Sequence, residues 1–268
     1  MAADLPPPEL DVTKPNVARM YDYYLGGKDN FAADRAAAER VIQALPNARE
    51  FTKANRRFLV DVVTMLAERG VRQFLDIGSG LPTQDNVHEA AQRAVPDARV
   101  VYVDHDPVVL VHARALLAHD ANTTVIRADL REPDGILEHP SVRSMIDFDR
   151  PVALLMLAIL HFVPEEAGPY EIVRRLRKPL CSGSYVAITH GHAGAASAET
   201  EREVRGVYGK TRAGDIIPRT PEQQMRFFEG AELVDPGMVP VEDWRPGAPA
   251  FEPDLDRVSF LGALARIP

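Results

Sequence analysis

Three short stretches bring together the residue types that hold a nucleoside. The first, Phe74-Leu75-Asp76-Ile77-Gly78-Ser79-Gly80, is an apolar run leading into a loop whose glycines let a ligand approach the backbone. The second, Val103-Asp104-His105-Asp106-Pro107, closes the next apolar run with a carboxylate where doubly wound folds bind ribose hydroxyls, and Asp104 is the residue expected in that role. Asp106 has a structural explanation, since Asp followed by Pro before the run Val108 to Leu117 makes an N-cap with proline at the first helical position. The third, Arg127-Ala128-Asp129-Leu130, places a carboxylate that could accept an adenine's exocyclic amine beside a leucine that could cover its face. The plainer alternative for Asp129 is a loop aspartate capping a turn.

The glycine loop departs from the dinucleotide pattern. A pyrophosphate-binding turn wants a third glycine or alanine three positions after the second, and Thr83 stands there. Pro82 follows the loop, and the next helix cap is the box Asn86 to Glu89. The stretch from Gly78 to Asp85 is therefore longer than tight pyrophosphate binding requires, and it suits a ligand without phosphates.

These loops need a frame. From Val71 onward, short apolar runs alternate with longer polar stretches: Gln73 to Ile77, Arg99 to Val103, Thr124 to Ala128, Val152 to Ala158 and Tyr185 to Thr189. Such alternation predicts βα units and a parallel sheet covered on both faces. Two later candidates, Met238 to Val241 and Val258 to Ala265, flank a proline-rich loop holding Trp244. Before the sheet, Val17, Met20, Tyr21, Tyr24 and Leu25 fall at helical spacing, with Asn16 or Thr13 as cap and Gly26-Gly27 as terminator. Further helices are predicted around Ala36 to Leu45 and Phe51 to Leu66, and one opens at the box Thr220-Pro221-Glu222-Gln223. The expected organisation is a lead-in over 1–12 and one α/β domain over 13–268. Within it, 13–70 is a helical cap, 71–190 the binding core, 191–219 a polar lid or substrate segment, and 220–268 the C-terminal helix and hairpin. No internal repeat is evident.

The 268 residues, 26% charged and 46% hydrophobic, have the composition of an ordinary globular chain. A formal net charge of -8 disfavours nucleic acid and anionic lipid as partners. The longest apolar run, Pro151 to Val163, is too short to cross a bilayer, so no membrane partner is expected. A single cysteine, Cys181, and a first segment that is acidic and proline-rich point to the cytoplasm.

More specific blocks accompany these motifs: Tyr24-Leu25-Gly26-Gly27-Lys28-Asp29-Asn30-Phe31, Ala54-Asn55-Arg56-Arg57-Phe58-Leu59, Phe74 to Thr83, and Asn86-Val87-His88-Glu89. Together they resemble the class I S-adenosylmethionine (SAM)-dependent methyltransferases, and more closely one bacterial S-adenosyl methyltransferase family formerly of unknown function. The resemblance runs from about Pro15 to the last strand. It implies a Rossmann-like doubly wound, mostly parallel seven-stranded sheet with an antiparallel C-terminal hairpin and a helical N-terminal cap. It also implies SAM as cofactor. Gly78, Ser79 and Gly80 would approach its methionine part, Asp104 its ribose, and Ala128, Asp129 and Leu130 its adenine, with His105 alongside. The N-terminal helices would form a lid, which makes Tyr24 and Arg56 candidates for the amino-acid end of the cofactor. An Arg guanidinium matches a carboxylate with two parallel hydrogen bonds. Core packing for Tyr24 and a solvated face for Arg56 are the competing explanations.

Methyl transfer is an in-line displacement, so rate can come from positioning and water exclusion without an obligatory catalytic motif. Should the acceptor have to lose a proton, His161, just past the central apolar run, is the candidate base; His190 and His192 hold the equivalent place after the next run. Hydrogen bonding to a loop is the alternative for each. His190-x-His192 lacks the companions of a zinc site, and no metal is expected. The expected function is methyl transfer from SAM to a small-molecule acceptor. The alternatives are a non-catalytic regulatory protein binding SAM or S-adenosylhomocysteine, and an NAD-dependent oxidoreductase.

Overall fold

The computed structural model describes residues 11–82, 85–117 and 120–268. Most of the expected lead-in and the Thr83 position lie outside the described residues. The N-terminal cap consists of α1 (Val17–Leu25), α2 (Ala32–Ala44) and α3 (Ala48–Glu68). The Asn16 side chain accepts from the Arg19 amide at the start of α1, and Gly26 closes the helix in the left-handed conformation. A buried ion pair, Arg19 Nε to Asp34 Oδ2 at 2.7 Å, locks α1 to α2. Asp34 also accepts from the amides of Asn16 and Phe31, so this buried charge is fully partnered.

The sheet begins with β1 (Gln73–Ile77), followed by α4 (Val87–Ala94), β2 (Arg99–Asp104), α5 (Pro107–Leu117) and β3 (Thr123–Arg127). Two short helices, α6 (Pro133–Leu137) and α7 (Pro140–Met145), lead to β4 (Ala153–Leu157), then α8 (Pro169–Arg177) and β5 (Tyr185–His192). The chain ends with α9 (Ala198–Tyr208), α10 (Pro221–Met225), β6 (Glu232–Leu233), β7 (Val239–Pro240) and β8 (Ser259–Arg266). The strand order is β3-β2-β1-β4-β5-β8-β6, with the two-residue β7 also paired to β8. The first five strands are mutually parallel, and β8 runs antiparallel to β5, β6 and β7.

Alternation along the strands fills two cores. Phe74, Val100 and Leu155 join α3 and α4 on one face, while Leu75, Val101 and Leu154 join Ile136 and Leu176 on the other. Burial on both sides is why these strands read as continuous apolar runs. Phe58 of α3 meets Trp244 edge-to-face at 4.9 Å, which anchors the long helix over the last strands. A third cluster, with Met20, Tyr24, Val41 and Val207, joins the cap to α9.

Two features depart from the sequence expectation. The polar stretch 191–219 contains α9, a helix whose apolar residues are confined to a narrow stripe that meets α2. The strand β6 has only two residues, both exposed, too few for any period to show.

Candidate functional site

The strand order reverses direction between β1 and β4, and a crevice opens there at the carboxyl ends of the parallel strands. It widens into a cavity of about 970 Å³, open to solvent at its mouth. Its floor is the loop Gly78 to Leu81, the end of β2 from Asp104 to Asp106, and Leu157 to Ile159 after β4; its roof is α1 and α3, through Tyr21, Asp22, Asn55 and Arg56.

The floor is held by one carboxylate. Asp104 Oδ2 accepts from the Gly80 amide at 2.9 Å, and its Oδ1 accepts from the Asp106 amide at 2.9 Å. Burial raises the Asp104 pKa, and those two amide bonds oppose the rise. Gly78 has φ 76, and a Cβ there would lie 2.6 Å from the Ile159 side chain, so only glycine fits between β1 and β4. Ala158, also lining the cavity, is held at φ 53 while its amide donates to Thr189 Oγ1 at 2.9 Å. A non-glycine residue in that region stores strain, and such strain concentrates at functional sites.

The roof carries polar groups without protein partners. Arg56 Nε and Asn55 Oδ1 are buried with no hydrogen-bond partner. The Asn55 amide donates to the Tyr21 hydroxyl at 2.9 Å, and the Arg56 guanidinium lies 6.0 Å from the centre of the Tyr21 ring. Opposite them, burial pushes the Asp76 carboxyl up to about 7, opposed by Arg56 and reinforced by Asp104. At the rim, Asp22 Oδ2 accepts from the Asp29 amide and the Asn30 side chain, and a Cβ at Gly27 would collide with Asp22. This accounts physically for the Gly-Gly-Lys-Asp-Asn block. Asn16 donates to the Asp106 carboxylate, tying the cap to the floor.

A model of the S-adenosyl methyltransferase family matches residues 3–268. The chain belongs to this family. A DUF574 family protein from Streptomyces avermitilis MA-4680 is 42% identical, with 96% of this chain and 99% of that chain aligned at a TM-score of 0.86. A candidate methyltransferase from Thermobifida fusca YX is 43% identical over 98% of this chain and 99% of its own, also at 0.86. At 12% identity, the N-methyltransferase NodS from Bradyrhizobium japonicum WM9, in complex with S-adenosyl-L-homocysteine, shares the fold at a TM-score of 0.50 over 87% of this chain and 97% of that one. No curated protein is a significant match.

Of the residues expected to hold the cofactor, Gly78, Ser79, Gly80, Asp104, His105 and Arg56 line the cavity together. Tyr24 does not. It is buried in the cap with its hydroxyl 3.3 Å from that of Tyr208, and Tyr21, three residues earlier, occupies the cavity roof. The helical spacing placed both tyrosines on the buried side of α1 without saying which faced the ligand. Ala128, Asp129 and Leu130 also lie off the lining. Asp129 is held by the Arg131 side chain, at 2.9 Å from Nε, and by the Arg131 amide, and these bonds lower its pKa; Leu130 is buried in the core.

His161 lies outside this cavity and lines a second one. Its Nδ1 accepts from the Gly191 amide at 3.3 Å, and burial, His190 and Arg219 hold its pKa well below the usual histidine value. Among the described residues, no three His, Cys, Asp or Glu side chains converge as a metal site needs. No described helix is long and apolar enough to cross a membrane. Asn55, Asp76, Tyr21, Ala158 and Arg212 were not foreseen as site residues. Asp76 within the glycine motif and Asn55 beside Arg56 were the signals in the sequence that could have pointed to two of them.

Proposed function

We propose that this chain binds SAM in the cavity between β1 and β4 and transfers its methyl group to a small-molecule acceptor. The observation that carries this is a pair of groups at one cavity: a buried Arg56 Nε without a partner, and an Asp76 carboxyl that burial holds at about 7. A buried polar group without a partner costs roughly 1 to 3 kcal/mol, and a ligand that completes Arg56 Nε and Asn55 Oδ1 recovers that cost. A zwitterionic amino-acid end meets both needs. Its carboxylate would take the Arg56 guanidinium and its ammonium the Asp76 carboxylate. Asp104 has one bond on each oxygen and retains acceptor capacity for ribose hydroxyls. His105, exposed at the mouth, would flank the adenine.

When bound, the cofactor supplies an electrophilic methyl group on a sulfonium. The chain's contribution is to hold the two ends, exclude water under α1 and α3, and leave one side open to the acceptor. Calorimetry tests the reading: SAM and S-adenosylhomocysteine should bind, NAD should not, and Arg56→Met should weaken SAM at least tenfold while leaving the thermal midpoint within about 2 °C. Binding of NAD with no heat from SAM would overturn it. Formation of S-adenosylhomocysteine in the presence of a small-molecule extract checks turnover.

A further inference from the structure

Beyond the carboxyl end of β5 lies the second cavity, of about 770 Å³, between α2, α9 and the start of β8. Its walls are mostly apolar and aromatic, with Leu45, Phe51, Val204, Tyr208 and Phe260 among them, and Glu201 and Arg205, of opposite charge, also line it. It adjoins the cofactor cavity across a thin partition. Phe162, which lines the first cavity, packs 5.8 Å from Tyr208 and 4.3 Å from His161, both of which line the second. The loop that follows α9 then returns to line the first cavity through Arg212 and Ala213. One segment thus encloses both.

Polar groups at the partition define what enters. His190 Nδ1 lies 2.8 Å from the Gly191 carbonyl, which can only accept, so that nitrogen carries the proton. Its Nε2 therefore accepts from Arg219 Nη1 at 3.1 Å. The Gly191 amide donates to His161 Nδ1, which puts the proton of the neutral His161 ring on Nε2. That N–H has no protein partner among the described residues. Behind it stands the buried Arg219 guanidinium, whose charge is offset by Glu165.

We propose that this second cavity is the acceptor site and takes a neutral, largely apolar aromatic alcohol of the phenol class, whose oxygen is oriented by His161 Nε2–H. The assignment rests on SAM occupying the first cavity. In the step itself the acceptor oxygen forms a bond to the methyl carbon, the carbon–sulfur bond breaks with its electron pair staying on sulfur, and the hydroxyl proton leaves to solvent. The products are an aryl methyl ether and S-adenosylhomocysteine. His161 orients the oxygen by donating to one of its lone pairs, which leaves the other to attack the methyl carbon, and it takes no proton. Phe162 and Tyr208 must turn aside for oxygen and methyl to reach reacting distance, roughly 3 to 3.5 Å.

The probe is 2-naphthol, followed by its own fluorescence with the full chain, with and without SAM. Saturable binding to the wild type is expected, at least tenfold weaker in Val204→Trp, which fills the cavity, and about tenfold weaker in His161→Phe but not in His161→Gln, which keeps a donor. SAM affinity measured by calorimetry should stay within twofold of wild type in Val204→Trp. If circular dichroism shows that Val204→Trp is misfolded, Ala196→Phe fills the same space. With SAM present, mass spectrometry should detect 2-methoxynaphthalene. The proposal is overturned if 2-naphthol fails to bind the wild type, if both filled variants bind it normally, or if the cationic 1-naphthylmethylamine binds more tightly. Absence of SAM binding to the wild type would instead overturn the cofactor assignment, and the acceptor role with it, whatever 2-naphthol does.

Discussion

Two arginines, Arg219 buried and Arg56 half-buried, stand at the sheet's carboxyl edge and are treated in opposite ways. Arg219 uses its whole guanidinium. Nη1 donates to the Leu160 carbonyl at 2.9 Å and to His190, Nη2 to the Val163 carbonyl at 2.8 Å, and Nε to Glu165 at 2.8 Å. Its side chain is 1% exposed, whereas that of Glu165 is 56% exposed, so the charge is neutralised at the protein's edge. Arg56 has a buried Nε with no partner, with the Tyr21 ring 6.0 Å from its guanidinium and the Asp76 carboxyl within electrostatic reach. A satisfied buried cation is part of the architecture; an unpartnered guanidinium nitrogen beside a cavity leaves a donor that an anion could take. The contrast also separates the histidines, since His190 is held by its bonds to Gly191 and Arg219 and is pushed down to about 3 by burial.

The sharpest break in that contrast is Arg219→Met. It strands two carbonyls and the His190 Nε2 in a buried setting, a loss of about 3 kcal/mol or more. For a chain of this size the thermal midpoint should drop by roughly 10 °C. SAM affinity, measured at a temperature where the variant is folded, should change less than threefold. Scanning calorimetry decides it, and an unchanged midpoint would place Arg219 among the ligand-facing groups instead.

Asp76 carries the next largest effect, and its sign depends on pH. Its folded pKa of about 7 lies above the unfolded value, so the stability it contributes is present below about pH 4 and is lost as pH rises through 7. Above that the ligand-free protein holds a buried carboxylate at a cost on the order of 4 kcal/mol. Asp76→Asn should therefore raise the ligand-free midpoint at pH 8, with the gain vanishing towards pH 4. The same change should weaken SAM at pH 8 by tenfold or more. In the wild type, SAM should bind less tightly as pH falls from 8 to 6, because a protonated carboxyl no longer attracts an ammonium; the variant should show a flat profile. A destabilised Asp76→Asn at pH 8 would mean that the carboxylate is already compensated within the protein.

The sequence was most informative where local chemistry decides the outcome. The β1 strand Gln73–Ile77, the α1 helix Val17–Leu25 with its Asn16 cap, and the Asn86 and Thr220 capping boxes all fall where periodicity and cap residues put them. The floor of the cavity was legible for the same reason, since a glycine loop and a strand-end carboxylate are local motifs. Of the roof, only the covering helices and Arg56 were legible, through the family resemblance; Asn55 and Tyr21 were not, because they come over the cavity only through the packing of α1 and α3 on the sheet. Nor was the second cavity, which is assembled from α2, α9 and β8. The polar sequence of α9 conceals a helix that is held by tertiary contact through a narrow apolar stripe. Asp129 shows the converse error: its motif was right for a strand end, yet Arg131, two residues on, takes up its carboxylate.

The smallest effect separates the two tyrosines of α1, and it tests which side of that helix belongs to the site. Tyr21 lines the cofactor cavity, and its hydroxyl accepts from the Asn55 amide, whose own Oδ1 is unpartnered. Tyr21→Phe removes that anchor and leaves Asn55 free to turn, at about 1 kcal/mol for one neutral hydrogen bond. SAM should then bind roughly threefold to tenfold more weakly, with the thermal midpoint lowered by a few degrees at most. Tyr24 pairs with Tyr208 inside the contact between the cap and α9. Tyr24→Phe should lower the midpoint by a similar few degrees while leaving the SAM dissociation constant within twofold, because no group lining the first cavity loses a partner. Calorimetric titration of both variants beside their melting curves checks the pair. The reverse pattern, with SAM weakened by Tyr24→Phe and untouched by Tyr21→Phe, would mean that α1 turns its Tyr24 side to the cofactor on binding, and the cap would then be a moving part instead of a preformed roof.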